Sequence, residues 1–363
     1  MTNESEGPEQ RRKQALFDQE ECRRAIGTKD IEGWTESRTR IASLGKRLRE
    51  QFVERDLAVN GILAALISRA GCVLLGPPGT AKSLLVNRIA RECDLRIGTE
   101  DANYFEYLLT AHTMPEEIFG PTDIGLLLLN PPQVQRHTEA RLPHAELAFL
   151  DEVFRGGSHI LNTLLSILNE RRFHNGRRVE EVPLVSFIGA ANHPPQTEEL
   201  RAFFDRFPVR IWVDSVLRSE STRLKNAQRL IDVEAPPTLP KNVDRPSMHD
   251  FRKLWSILRR KLRHSDTGNR RANEGLDRRL NEFTRLFAAF QAEGQLSDRS
   301  FVQLWYFAGA LDMVEGREPD LPSSSGGLGH FHCFYYVAPS QPSLASIEHR
   351  VNAQLKRQSA SGV

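Results

Sequence analysis

One segment limits what this chain can fold into more than any other. The apolar run Cys72-Val73-Leu74-Leu75 leads directly into Gly76-Pro77-Pro78-Gly79-Thr80-Ala81-Lys82-Ser83, and a helical pattern follows from Ser83 to Glu92. A short, continuous apolar run bounded by glycine reads as a strand buried on both faces. Small residues after it let backbone N–H groups approach phosphate oxygens. A lysine then reaches the β and γ phosphates, and a hydroxyl can hold Mg²⁺. The start of the next helix adds a favourable dipole for an anion. Phosphate contacts are therefore expected along Gly76, Pro77, Pro78, Gly79, Thr80, Ala81, Lys82, Ser83 and Leu84. One position departs from the usual pattern. Ala81 stands where a glycine is normal, and alanine disfavours φ > 0. A plain Gly-Pro turn would not need a strand before it and a helix after it.

Two further apolar runs have the same character: Leu147-Ala148-Phe149-Leu150 and Leu184-Val185-Ser186-Phe187-Ile188. Helical patterns lie between the runs, including Ile160 to Asn169. That alternation predicts an α/β domain with a parallel sheet. Asp151-Glu152 follows the second run. Asp151 is placed to bind Mg²⁺, with Ser83 as the other metal-site residue, and Glu152 to activate water. Asn192 stands just beyond the third run. By itself it reads as an ordinary turn residue before Pro194-Pro195. In an open parallel sheet, however, ligands bind outside the carboxyl ends of the strands. Gly76, Asp151 and Asn192 all fall there.

The remaining chain sets the domain plan. Residues 1–35 are polar and expected to be a poorly ordered arm. Residues 36–217 form the nucleotide-binding core, beginning with one helical pattern from Ile41 to Ile67 that Gly71 ends. Residues 218–363 form a smaller, mainly helical domain, with periodic Phe251, Leu254, Trp255 and Leu258, then Leu276, Leu280, Phe283 and Phe287. A Pro/Ser/Gly loop is expected over Pro322 to Gly329 and a last helix over Ser343 to Arg357. The net charge of +2 gives no bulk argument for a nucleic-acid or membrane partner. No apolar run approaches the ~20 residues of a membrane span, and Met1 to Lys13 is too polar for a secretory signal. Cys22, Cys72, Cys93 and Cys333 stand too far apart for metal or redox spacing. His330, His332 and Cys333 lack a second ligand pair. The guanine signature Asn-Lys-x-Asp does not occur.

Taken in order, several blocks resemble the MoxR group of AAA+ ATPases, most closely its RavA-like branch. They are Pro115-Glu116-Glu117-Ile118-Phe119-Gly120-Pro121, Phe149-Leu150-Asp151-Glu152-Val153-Phe154, Ile160-Leu161-Asn162-Thr163-Leu164-Leu165 and Asn169-Glu170-Arg171-Arg172-Phe173. The resemblance spans roughly 40–310. It implies an αβα sandwich followed by a helical lid, and an alanine before the P-loop lysine is usual in the group. It further implies ATP and Mg²⁺ as cofactors, Walker A at Lys82 and Ser83, Walker B at Asp151 and Glu152, and sensor 1 at Asn192. Arg206 becomes the arginine finger acting on a neighbouring subunit, with Arg201 and Arg210 as rivals. Arg299 becomes sensor 2, although the Ser297-Asp298 pair before it also reads as a helix cap. An insert is implied near Ile124 to Arg141, and a loop near His174 to Glu181. Such proteins form homo-oligomers, usually hexameric rings, and work with a von Willebrand factor A-domain protein on a protein client. The polar N-terminus, the lack of an apolar span and the scattered cysteines make the cytoplasm the expected compartment. RavA-like proteins often carry a further C-terminal domain, and none is expected within these residues. A nucleotide-gated scaffold with slow hydrolysis is the first alternative. A nucleic-acid motor is less favoured, because no reader motif is recognised.

Overall fold

The three apolar runs form the centre of a five-stranded sheet in a computed structural model, which describes residues 34–93, 95, 102–129, 134–216, 226–227, 243–262, 270–292, 297–317 and 333–337. Helices α1 (Trp34–Gln51) and α2 (Asp56–Ser68) precede strand β1 (Cys72–Leu75) and helix α3 (Lys82–Glu92). Then come β2 (Tyr104–Leu108), the short helices α4 (Pro115–Phe119) and α5 (Ile124–Leu127), β3 (Leu147–Asp151) and α6 (Ser158–Glu170). Strands β4 (Arg172–Asn175) and β5 (Arg178–Glu181) lead to β6 (Ser186–Ala191), α7 (Glu198–Phe204) and β7 (Val209–Trp212). Helices α8 (Met248–Lys261), α9 (Arg270–Ala292) and α10 (Asp298–Val314) complete the regular structure.

The sheet order is β2-β3-β6-β1-β7, and every neighbouring pair is parallel. Leu75 lies level with Ala191 on one side and Trp212 on the other. Successive side chains enter opposite cores, as the period of two requires. Cys72 and Leu74 face one apolar cluster with α1 and α2, while Val73 and Leu75 face another with Leu150, Leu164 and Phe207. Burial on both faces explains why these strands read as unbroken apolar runs.

The described helices after residue 243 share the first of these cores. Phe251, Leu254, Phe307 and Leu311 pack with Leu44, Ile62 and Leu66. Asp250 ties α8 to α1, because it accepts hydrogen bonds from Ser37 (2.6 Å), Arg40 (2.8 Å) and the Ser247 backbone (2.7 Å).

Several sequence expectations need correction. The helical pattern from Ile41 to Ile67 is two helices, broken between Gln51 and Asp56, and Arg69 in a left-handed conformation (φ 57°) ends the second rather than Gly71. Strand β6 starts at Ser186 and continues through Gly189-Ala190-Ala191, so Leu184 and Val185 precede it. The loop expected near His174 to Glu181 contains an antiparallel hairpin of β4 and β5. Strands β2 and β7 escaped notice because β2 is a half-exposed edge and β7 carries the charged Arg210 in its interior. The Ile124 to Arg141 segment opens with α5 and exposes Ile124, Leu128 and Leu129. Residues 1–33, Pro322 to Gly329, His330, His332 and Ser343 to Arg357 lie outside the described residues.

Candidate nucleotide site

Parallel strands bring the carboxyl ends of β1, β3 and β6 to one edge, and the expected site residues meet there. Pro77, Pro78 and Gly79 form an exposed loop, and Leu84 is also exposed. Thr80 Oγ1 closes the loop by donating to the Pro77 carbonyl at 2.9 Å. Lys82 is nearly buried. Its Nζ donates to the carbonyls of Gly76 (2.7 Å) and Pro77 (2.9 Å) and lies 3.4 Å from Asn192 Oδ1. Burial pushes its ammonium below the ordinary value, and the charges of Asp151 and Glu152 oppose that shift.

The carboxylates and the amide are equally ordered. Ser83 Oγ donates to Asp151 Oδ2 at 2.7 Å, while Asp151 Oδ1 accepts from the Glu152 backbone N–H at 2.9 Å. Asn192 Nδ2 donates to Glu152 Oε1 at 2.6 Å. Asn192 is thus a bridge between the lysine and the glutamate rather than a free turn residue. Arg155 Nε lies 3.4 Å from the other Glu152 oxygen. Two residues here hold left-handed conformations: Ala81 at φ 64° and Glu152 at φ 51°. Such strain costs roughly 1–3 kcal/mol per residue and persists where surrounding structure enforces it. The sequence argument held that alanine would avoid φ > 0, and the loop places it there nonetheless.

The donor set suits a hard cation. Ser83 Oγ and Asp151 Oδ2 are adjacent oxygens of the kind Mg²⁺ accepts alongside water and phosphate. Among the described residues no cluster of three or more His, Cys, Asp or Glu could cage a metal alone.

Arg206 does not join this cluster. It lies before β7, at the amino edge of the sheet, where its carbonyl neighbours Gly71. The four residues of β1 separate that edge from the loop, roughly 13 Å at the usual strand rise. Arg206 is half-buried, and its Nε is buried without a hydrogen-bond partner. Its rivals differ. Arg210 is fully buried, stacks 4.2 Å over Phe204 and donates to the Phe207 and Val337 carbonyls, so the interior uses it up. Burial pushes its guanidinium down to about 10. Arg201 is exposed on α7. Arg299 falls in the first turn of α10, and its side chain lies outside the described residues.

The sequence reading missed one residue beside the loop. Arg55, at the start of α2, is 9% exposed and its Nη2 donates to the Thr80 carbonyl at 3.3 Å. Nothing in Glu54-Arg55-Asp56 distinguishes it from an ordinary charged helix start.

A model of the MoxR domain found in MoxR–vWA–β-propeller ternary systems matches residues 39–246, more than half of the 363. The chain belongs to the MoxR family. It is a MoxR-type AAA+ ATPase domain in sequence, and the strand order and site cluster agree with that membership. Two relatives from Methanocaldococcus jannaschii are each 43% identical: the uncharacterized proteins MJ0812, over 194 residues, and MJ0079, over 182 residues. The matches cover 53% and 50% of this MoxR chain, and 48% and 46% of the relatives, so the chain spans about half the length of the curated relatives it matches. A crystal structure described as a "putative ATPase" from Cytophaga hutchinsonii superposes with a TM-score of 0.57 at 18% identity, covering 90% of this chain and 96% of its own. At that identity the likeness speaks for the fold. No helix among the described residues is long and apolar enough to cross a membrane.

Proposed function

We propose that this MoxR chain hydrolyses ATP at the subunit interfaces of a homo-oligomeric ring, a hexamer by family resemblance, and uses the cycle to remodel a partner protein. One observation carries the reading. Lys82, Asn192, Glu152, Asp151 and Ser83 form a connected cluster at the carboxyl edge of the sheet, while Arg206 stands at the other edge. A cluster that contains a lysine, a hydroxyl and two carboxylates holds parts that phosphoryl transfer to water needs. An arginine too distant to serve its own site suits delivery to a neighbour's.

In this mechanism Lys82 leaves the Gly76 and Pro77 carbonyls for the β and γ phosphate oxygens. Bound at Ser83 and Asp151, Mg²⁺ would neutralise phosphate charge. Glu152 accepts the proton of the attacking water, and Asn192 fixes the carboxylate through the 2.6 Å hydrogen bond it already makes. Arg206 of the next subunit stabilises transition-state charge, a contribution of about 10³–10⁵ in rate. Arg299 acts as sensor 2 from a helical lid over 218–363, whose described helices pack on α1 and α2 of the 36–217 core. The partner is a von Willebrand factor A-domain protein. The description of the matching family also names a β-propeller, which makes a ternary assembly the natural form. The RavA-like branch follows from the motif resemblance, and a cytoplasmic location belongs to the same proposal.

The test is the Glu152→Gln variant. It should bind ATP as tightly as wild type, lose at least ~100-fold in turnover, and capture the A-domain partner in the ATP state. Wild-type turnover by this variant would falsify the base assignment. Retained binding with negligible wild-type hydrolysis would favour the scaffold instead.

A further inference from the structure

Arg55 is a buried cation with no carboxylate in direct contact. Its Nη1 and Nη2 donate to the backbone carbonyls of Glu54 (3.2 Å) and Thr80 (3.3 Å), and it forms no ion pair with a carboxylate among the described residues. The side chain is 9% exposed. Burial drives its guanidinium below the ordinary value, and the more distant Glu54 and Asp214 only partly offset that. Desolvating a charge in this position costs stability in the empty protein, and two carbonyl hydrogen bonds with the more distant Glu54 and Asp214 offset that cost only in part. Glu54, the residue before it, is held at φ 53°, so the local backbone is also strained.

Lys82 shares part of the predicament. It is 7% exposed and its ammonium is satisfied mainly by carbonyls; Asp151 and Glu152 attract it, while the charge of Arg55 acts on it unfavourably. Two buried cations therefore face one loop and repel each other. A polyanion on that loop removes both penalties at once. Arg55 also grips the loop mechanically, at the carbonyl of Thr80, two residues before Lys82.

We propose that Arg55 is a second cation of the nucleotide site, a positioning residue that fixes the loop at Thr80 and whose unpaired charge is neutralised by the phosphate chain of a nucleoside polyphosphate. The proposal rests on the nucleotide reading above and deepens it. It makes affinity depend on ligand charge. It also gives the residue a sign opposite to that of a structural one: it weakens the empty protein and strengthens the loaded one.

The experiment compares wild type, Arg55→Gln, Arg55→Lys and Lys82→Ala as full chains. Affinities for ATP, ADP and adenosine are measured by calorimetry, and urea midpoints are measured without nucleotide. Arg55→Gln should bind ATP about tenfold more weakly, the worth of a charge-assisted hydrogen bond. It should bind adenosine within about twofold, and keep kcat at saturating ATP within about twofold, so the loss falls on KM. Arg55→Lys should recover most of the ATP affinity. The empty Arg55→Gln protein should unfold at the wild-type urea concentration or above it. Three results overturn the proposal: unchanged ATP affinity in Arg55→Gln, an equal loss for adenosine, or a lowered midpoint in the empty protein. Failure of wild type to bind ATP, or of Lys82→Ala to weaken it, sinks the nucleotide reading and this one together. Wild-type binding that Arg55→Gln leaves intact sinks this one alone.

Discussion

Two glycines of the same loop should respond very differently to alanine. A Cβ on Gly76 would sit 2.0 Å from the carbonyl oxygen of Val213 and 2.9 Å from its carbonyl carbon. Both are backbone atoms at the end of β7, and the Val213 N–H donates to the Leu75 carbonyl at 2.7 Å. Relieving the overlap requires a shift of about 1 Å, which breaks or stretches that bond at a cost of ~1 kcal/mol. The positive φ of 153° adds about 1–2 kcal/mol, and displaced packing adds ~1 kcal/mol. Gly76→Ala should therefore lose about 3–4 kcal/mol. Gly79 also has a positive φ, 76°, but nothing lies within 4 Å of its added Cβ. Gly79→Ala should lose only the backbone term, about 1–2 kcal/mol. A urea titration without nucleotide separates them. Trp212 reports on the affected strand pair, since it lies level with Leu75. At a slope of about 2 kcal/mol per molar, the Gly76→Ala midpoint should fall roughly 1 M below that of Gly79→Ala. Equal midpoints, or a lower one for Gly79→Ala, would show that the close approach of β1 and β7 is not what requires the first glycine.

The candidate fingers should separate by phenotype. Arg206→Ala should keep the unfolding midpoint of wild type within ~0.5 kcal/mol and lose about 10³-fold in ATP turnover at assembling concentrations. Arg210→Ala should instead destabilise by about 2–4 kcal/mol, because it empties a buried stack over Phe204 and orphans the Val337 carbonyl. Unchanged turnover in Arg206→Ala would refute the finger. Acid should find the α1–α8 junction. Burial pushes Asp250 upward, but hydrogen bonds from Ser247, Ser37 and Arg40 together outweigh it, so its carboxyl lies below the ordinary 3.8. A carboxylate with a depressed value stabilises the fold above the unfolded value, and that stability drains as pH falls through the folded one. Asp250→Asn should thus be less stable than wild type at pH 7, with the gap closing as pH drops below 3.8. A gap constant down to pH 3 would rule out the ionised pair as its source.

The core of this protein was largely readable without coordinates. Strands buried on both faces read as continuous apolar runs, so β1, β3 and the first half of β6 announce themselves. Their parallel order places whatever follows them at one edge, and that let Lys82, Ser83, Asp151, Glu152 and Asn192 be grouped by position alone. Edge strands obey no such rule. Strand β2 is half in water, and β7 tolerates Arg210 because the nearby Phe204 ring and Phe207 carbonyl and the distant Val337 carbonyl satisfy it, a geometry that a hydrophobicity pattern does not show.

The sequence by itself thus determined the strand–loop–helix unit at residues 72–92 and the chemistry grouped at its edge, since burial and phosphate approach each demand particular residue types in order. Only the tertiary structure decided the rest. It set Ala81 at a positive φ against its preference, spent Arg210 on the interior, left Arg206 too far from its own site, and brought Arg55 to the Thr80 carbonyl with no carboxylate in direct contact. These depend on backbone conformation, desolvation and close approach in the folded chain, which no local pattern records.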